Sequence, residues 1–243
     1  MSGSVKIGRA IPRTAIDFKP EYLDFKRGIR VGNLEDNQRI TRILKLAIEE
    51  EFQEPFVTER FGRGVYWQWI GFLVRANRSA KPASSNVSFG CSKFFITMDT
   101  IDRLFKCGFS VERGFQKAPP GYAQCELKPD WDWNRLLKQL KTDGGLYPEL
   151  KRLVKREGFS IDAGNWEETN TFRKNSLPDP GKLRKILKNA IPDSWAGFQV
   201  YYPMNEKEVS GSPGVDLVES MLAVFREVTP AMNRCMQINL KHR

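Results

Sequence analysis

The chain has almost no histidine. Its one copy is His242, next to last of 243 residues. Histidine is the usual neutral-pH acid, base and metal ligand, so Ser-His-Asp, Cys-His and histidine-metal chemistries are nearly excluded from the body of the chain. Close cysteine pairs are also missing. Cys91, Cys107, Cys125 and Cys235 are widely spaced and form no C-x-x-C. That spacing argues against a zinc site and, with no leader evident, against a disulfide framework. No apolar run approaches the about 18–20 residues of a membrane span, and MSGSVKIGRAIPRT lacks the apolar stretch of a secretory signal. These absences point to a cytoplasmic location. Phosphate-binding loops are absent too: neither G-x-x-x-x-G-K-[ST] nor a G-x-G-x-x-G after a strand occurs. The G-x-G of FGRGVYW precedes a strand and reads as a turn.

Positive charge is abundant. Lys and Arg number 39 against 29 Asp and Glu, a formal +10. Such an excess favours polyanions, although lysine can equally serve solubility. A composition 40% hydrophobic and 12% aromatic is enough to bury a core.

Residues 1–32 read as a basic N-terminal arm with short extended pieces, because VKIGRAIPRTAIDFKPEYLDFKRGIRV holds seven cations against three acids and is broken by proline and glycine. Residues 33–243 read as a single α+β domain, since no linker divides them. Asn33 and Asp36 resemble a loose capping box before a helix with Ile40, Ile43, Leu44 and Ala47 on one face. That helix ends in Glu49, Glu50 and Glu51, where the dipole disfavours negative charge. VYWQWIGFLVRA (65–76) reads as a central strand apolar on both faces, with Trp67 and Trp69 pointing the same way. Strands over 87–98 and 103–115 follow, the last interrupted at Gly108, giving an antiparallel meander. A polar loop is expected over 77–86.

Beyond the meander, Asp130 is expected to cap a helix through Trp133, Leu136, Leu137 and Leu140. Trp131 and Trp133 cannot both face the core of that helix, so one is expected to be partly exposed or packed under a loop. A helix to Gly158, a short helix within 179–193, a strand over 196–204 and a last helix opened by an Asp216–Glu219 box are expected, with Pro230 kinking or ending the last. The fold expectation is an antiparallel sheet, with core strands about 65–115 and a further strand about 196–204, and helices packed on it.

Two functions fit this pattern. The first is nucleic-acid binding, with phosphates met by Arg75, Arg78, Lys81, Arg135, Lys151, Arg152, Lys155, Arg156, Arg184 and Lys185. Residues 135–188 carry 13 cations and seven acids, and a basic helical face tracks phosphates. The second is a magnesium-dependent nuclease of the PD-(D/E)-x-K kind, which needs no histidine. Its candidates are Glu112, Glu126 and Lys128, and magnesium is implied only on that reading. The [DE]-x-K pattern recurs at Asp17, Asp24 and Glu149, so it discriminates weakly. A protein-interaction module whose charge serves solubility is the remaining alternative.

Overall fold

The structure, a computed structural model, describes residues 17–82, 90–113, 116–118, 120–141, 143–165, 168–190 and 196–241. His242 and the first half of the basic arm lie outside these residues. Within them the chain is α+β, with seven α-helical segments on a nine-stranded, wholly antiparallel sheet.

The sheet starts earlier than the sequence suggests. Strands β1 (Leu23–Asp24) and β2 (Gly28–Arg30) come from the stretch read as an arm, and β2 pairs with the start of β4 (Tyr66–Val74). Phe18, Tyr22, Phe25 and Ile29 are buried there. Strand β3 (Phe56–Arg63) forms a hairpin with β4 and is an edge. Strands β5 (Lys93–Asp99) and β6 (Leu104–Glu112) complete the meander, followed across the sheet by β9 (Ala196–Asn205), β7 (Ser160–Asn165) and β8 (Thr169–Phe172).

One face of the sheet carries the core. Phe72, Phe94, Ile96, Phe109, Val200 and Ile161 alternate inward, as period-2 strands require, and all are fully buried. Helix α1 (Ile40–Phe52) covers part of this face. It begins after a 3-10 turn whose capping box is Glu35–Gln38, while Asn33 sits at φ +55° in a turn. Its acidic end is paired: Glu49 accepts from Phe56 N and faces Lys45, and Glu51 meets Arg226 at 3.1 Å. The expected loop at 77–86 begins instead with helix α2 (Arg75–Ser79), and its residues 83–86 lie outside the described ones, as do 87–89 of the expected second strand.

Helix α3 (Asp132–Gln139) starts at Asp132 with Trp131 at its N-cap position, so Asp130 is not the cap; its carboxylate accepts from Gln237 Nε2 instead. Trp133 enters the main core, whereas Trp131 packs with Cys125 and Leu127 under the 121–129 loop. Helices α4 (Leu146–Arg156), α5 (Pro180–Lys188, capped by Asp179) and α6 (Glu206–Ser210, with an Asn205–Glu208 box) follow. Helix α7 (Gly214–Cys235) packs on β6, with Phe225 stacked on Phe94 at 4.6 Å. Its N-cap is Pro213, so the Asp216–Glu219 box does not form, and the helix continues through Pro230. The lost backbone bond is offset by Ala231, Met232 and Cys235, all fully buried beyond the proline. Among the described residues no helix is long and apolar enough to cross a membrane.

Two local features position the opposite face of the sheet. The β3–β4 register shifts at Phe61/Gly62: Phe61 pairs with Trp69 but Gly62 pairs with Trp67, so Gln68 is an extra residue. Such a bulge reverses the pleat. Trp67 therefore packs against the main core, under Arg60 at 4.3 Å, while Trp69 lies on the other face, stacked on Phe95 at 6.3 Å. The expectation that both tryptophans share a face fails for this reason. Gly71 and Gly108 flank Phe95 in register. A Cβ at Gly71 would sit 2.4 Å from the Trp69 ring, and one at Gly108 would sit 1.9 Å from Val200 O. Strand β6 is thus continuous through Gly108, whose missing side chain lets β9 approach.

All four cysteines are buried and none is in a disulfide. Burial pushes the Cys91 thiol up to about 11, far from the thiolate that reacts. A thiol-specific disulfide reagent at pH 8 is expected to label none of the four in the native protein and all four after denaturation. Rapid native labelling of even one would contradict the packing.

Candidate nucleic-acid interface

Two cation pairs converge at one end of strands β6, β9 and β7. Helix α4 ends in Lys155 and Arg156, cations that suit a helix C-terminus. Gly158, at φ +80°, then reverses the chain, and Phe159 N donates back to Leu153 O. The chain enters β7, pairs as β8, and leaves through a turn closed by Arg173 N donating to Ser176 Oγ. That turn brings Arg173 and Lys174 beside the helix end, where Lys155 Nζ donates to Lys174 O. An open pocket of about 530 Å³ results, rimmed by Lys155, Arg156, Arg173 and Lys174. Its lining also includes the apolar residues Leu104, Val154, Phe159 and Pro203. Glu208 is the one carboxylate lining it, and Glu208 Oε2 accepts from Asn205 N at 2.6 Å in the cap of α6. Four cations and one carboxylate give the lining a net positive charge.

Tyr201 links the pocket to an ionic network on the face of the sheet opposite the main core. Its hydroxyl donates to Asp162 Oδ1 at 3.0 Å, and burial together with that carboxylate pushes the phenol up to about 12. Lys106 Nζ lies 4.8 Å over the Tyr201 ring, between Asp99 at 3.0 Å and Asp162 at 3.2 Å. Burial works against this ammonium, but Asp162 and Asp99 outweigh it and hold it protonated. A second group lies nearer β3. Lys93, fully buried, sits between Glu59 at 3.1 Å and Glu112 at 3.2 Å. Burial opposes its charge too, and the two carboxylates prevail; burial in turn pushes the Glu112 carboxyl up. Both lysines are locked as cations, so neither is poised as a general base.

The sequence-derived cations divide sharply. Lys155 and Arg156 line the pocket. Arg152, expected beside them, is taken by Glu149 and by Glu227 of α7, which hold its guanidinium charged and engaged. Lys81 is not a surface cation: its ammonium is fully buried, 2.9 Å from Asp132. Arg78 donates to the carbonyls of Lys81 and Pro82, and Arg184 Nε to Leu137 O. Arg135 is half-buried, while Arg75, Lys151 and Lys185 are exposed and away from the pocket lining. Arg173 and Lys174 escaped the sequence reading because β8 shows no long apolar alternation, and only its pairing brings a distant Arg-Lys pair to the end of α4.

The candidate nuclease residues are dispersed in character. Glu112 is 4% exposed inside β6 and ion-paired with Lys93, whereas Glu126 and Lys128 are exposed in the loop after a 3-10 turn at Ala123–Cys125. Among the described residues no three His, Cys, Asp or Glu side chains come together as metal ligands. Comparison with known proteins adds no relative: no family model, no curated protein and no solved structure matches the chain.

Proposed function

We propose that this chain is an intracellular nucleic-acid-binding protein that holds backbone phosphates at the Lys155, Arg156, Arg173 and Lys174 pocket. The observation carrying this reading is the convergence of two sequence-distant cation pairs on one open cleft with a single, already-bonded carboxylate. The formal +10 of the whole chain supplies long-range attraction to the same polyanion. Four cysteines without a disulfide fit a reducing compartment.

Each phosphate contact releases counterions, so affinity falls steeply with salt. Fluorescence anisotropy with labelled oligonucleotides across a salt series tests the reading. Reversing Lys155, Arg156, Arg173 and Lys174 to Glu is expected to weaken binding at least tenfold on every sequence. It is also expected to flatten the logarithmic salt slope by roughly 3, since each lost phosphate contact removes about 0.7–0.9. Lys155 and Arg156 also favour the C-terminus of α4, so a small fall in melting temperature, with the fold retained, accompanies the loss. Equal affinity and slope in the folded variant would leave the charge to solubility or to a protein partner.

A further inference from the structure

We propose that the pocket receives an unstacked base from a single strand, read by shape, so that the chain prefers single-stranded nucleic acid to duplex and tolerates many sequences. This rests on the phosphate reading above and goes beyond it. The cations alone would hold any polyanion; the apolar part of the lining carries the further step. Leu104, Val154, Phe159 and Pro203 add apolar surface to the lining that carries the four cations. A duplex keeps its bases stacked inside and offers the rim only phosphates. A single strand can turn a base inward and bury it while its flanking phosphates stay at Lys155, Arg156, Arg173 and Lys174.

Four of the polar residues that line the pocket, Lys155, Tyr201, Asn205 and Glu208, have partners inside the protein. The Tyr201 hydroxyl donates to Asp162, and Lys155 Nζ donates to Lys174 O. Asn205 Oδ1 accepts from Glu208 N, and Glu208 Oε2 accepts from Asn205 N. Base identity is told apart by hydrogen bonds to base edges, and these four groups are engaged inside the protein. Contact with the base is therefore apolar and indifferent to which base enters. The volume, about 530 Å³, leaves room for a base with its sugar.

The test uses the full chain and labelled 12-nucleotide probes at one salt concentration: oligo-dT, oligo-dA, an abasic strand with the same number of phosphates, and a 12-base-pair duplex. Oligo-dT and oligo-dA are expected to bind alike, and both about tenfold or more tighter than the abasic strand, in line with the value of one buried base. The duplex is expected to bind no tighter than the abasic strand, despite its higher charge density. If the abasic strand matches oligo-dT, or the duplex outcompetes both, the base-insertion inference fails while the phosphate reading survives. A large preference between dT and dA would overturn recognition by shape. If no probe binds at low salt, both readings fall together.

Discussion

Replacing Asp132 with Ala is expected to cost about 3–5 kcal/mol, the range for stripping one partner from a buried ion pair. Asp132 is fully buried at the start of α3 and serves four donors at once. Lys81 Nζ lies 2.9 Å away, Asn77 Nδ2 donates at 2.8 Å, and the backbone N–H groups of Ser92 and Gln237 donate at 2.6 and 3.1 Å. Asn77 Oδ1 in turn accepts from Ile238 N and from Lys81 Nζ. One carboxylate thus joins α2, the approach to β5, α3 and the segment after α7. The alanine variant leaves an ammonium and two backbone donors without their acceptor in a dry site, and each orphan adds its own desolvation cost. Domains of this kind are stable by only about 5–15 kcal/mol. Urea denaturation should show the loss directly, and Asp132→Asn, which retains an oxygen acceptor but not the charge, should fall between the two. A change below about 1 kcal/mol in the alanine variant would mean that this junction does not hold the four segments together.

Gly108→Ala is expected to be of similar severity for a different reason. The added methyl would lie 1.9 Å from Val200 O and 2.7 Å from Tyr201 Cα, both backbone. A flexible side chain could swing aside; a strand cannot. Strands β6 and β9 pair from Leu104↔Asn205 to Glu112↔Gly197, the junction between the meander and the β9–β7–β8 half. Separating them at the centre breaks ladder bonds and disturbs the fit of Phe95 beside Gly108. Overpacking costs about 1–3 kcal/mol and at times more, and the backbone collision places this substitution at the upper end. Circular dichroism melting of the purified variant, or its loss to the insoluble fraction, reads the effect. A variant as stable as the parent would show that β9 can shift without loss.

The parts of this architecture legible in sequence are those whose signal is local. The 65–115 strands announce themselves by β-branched and aromatic runs, α1 and α4 by apolar residues at helical spacing, and the strand near 196–204 by GFQVYY. What escaped depends on partners far along the chain. Leu23–Asp24 and Gly28–Arg30 are too short to signal strands, and they exist because β4 offers them an edge. Thr169–Phe172 is polar and half exposed, stabilised by pairing with β7. The candidate site follows the same division. Lys155 and Arg156 were visible as a basic helix end, but Arg152 could not be discounted before Glu227 was known to lie against it, nor Lys81 before Asp132 enclosed it. A charge read from sequence is a sum; which charges remain available is settled by tertiary neighbours.

The extra residue at Gln68 acts as a parity element for the hairpin. Every side chain between it and the tip has its facing set by that single insertion, so the hairpin carries one aromatic message on each side of the sheet: Trp67 with Arg60 on one, Trp69 with Phe95 on the other. A hairpin that took up Gln68 as an ordinary paired residue would keep its composition and its charge, yet turn Trp67 and the residues out to the tip onto the opposite surface. Length at position 68, more than the chemistry of glutamine, is what this part of the molecule encodes.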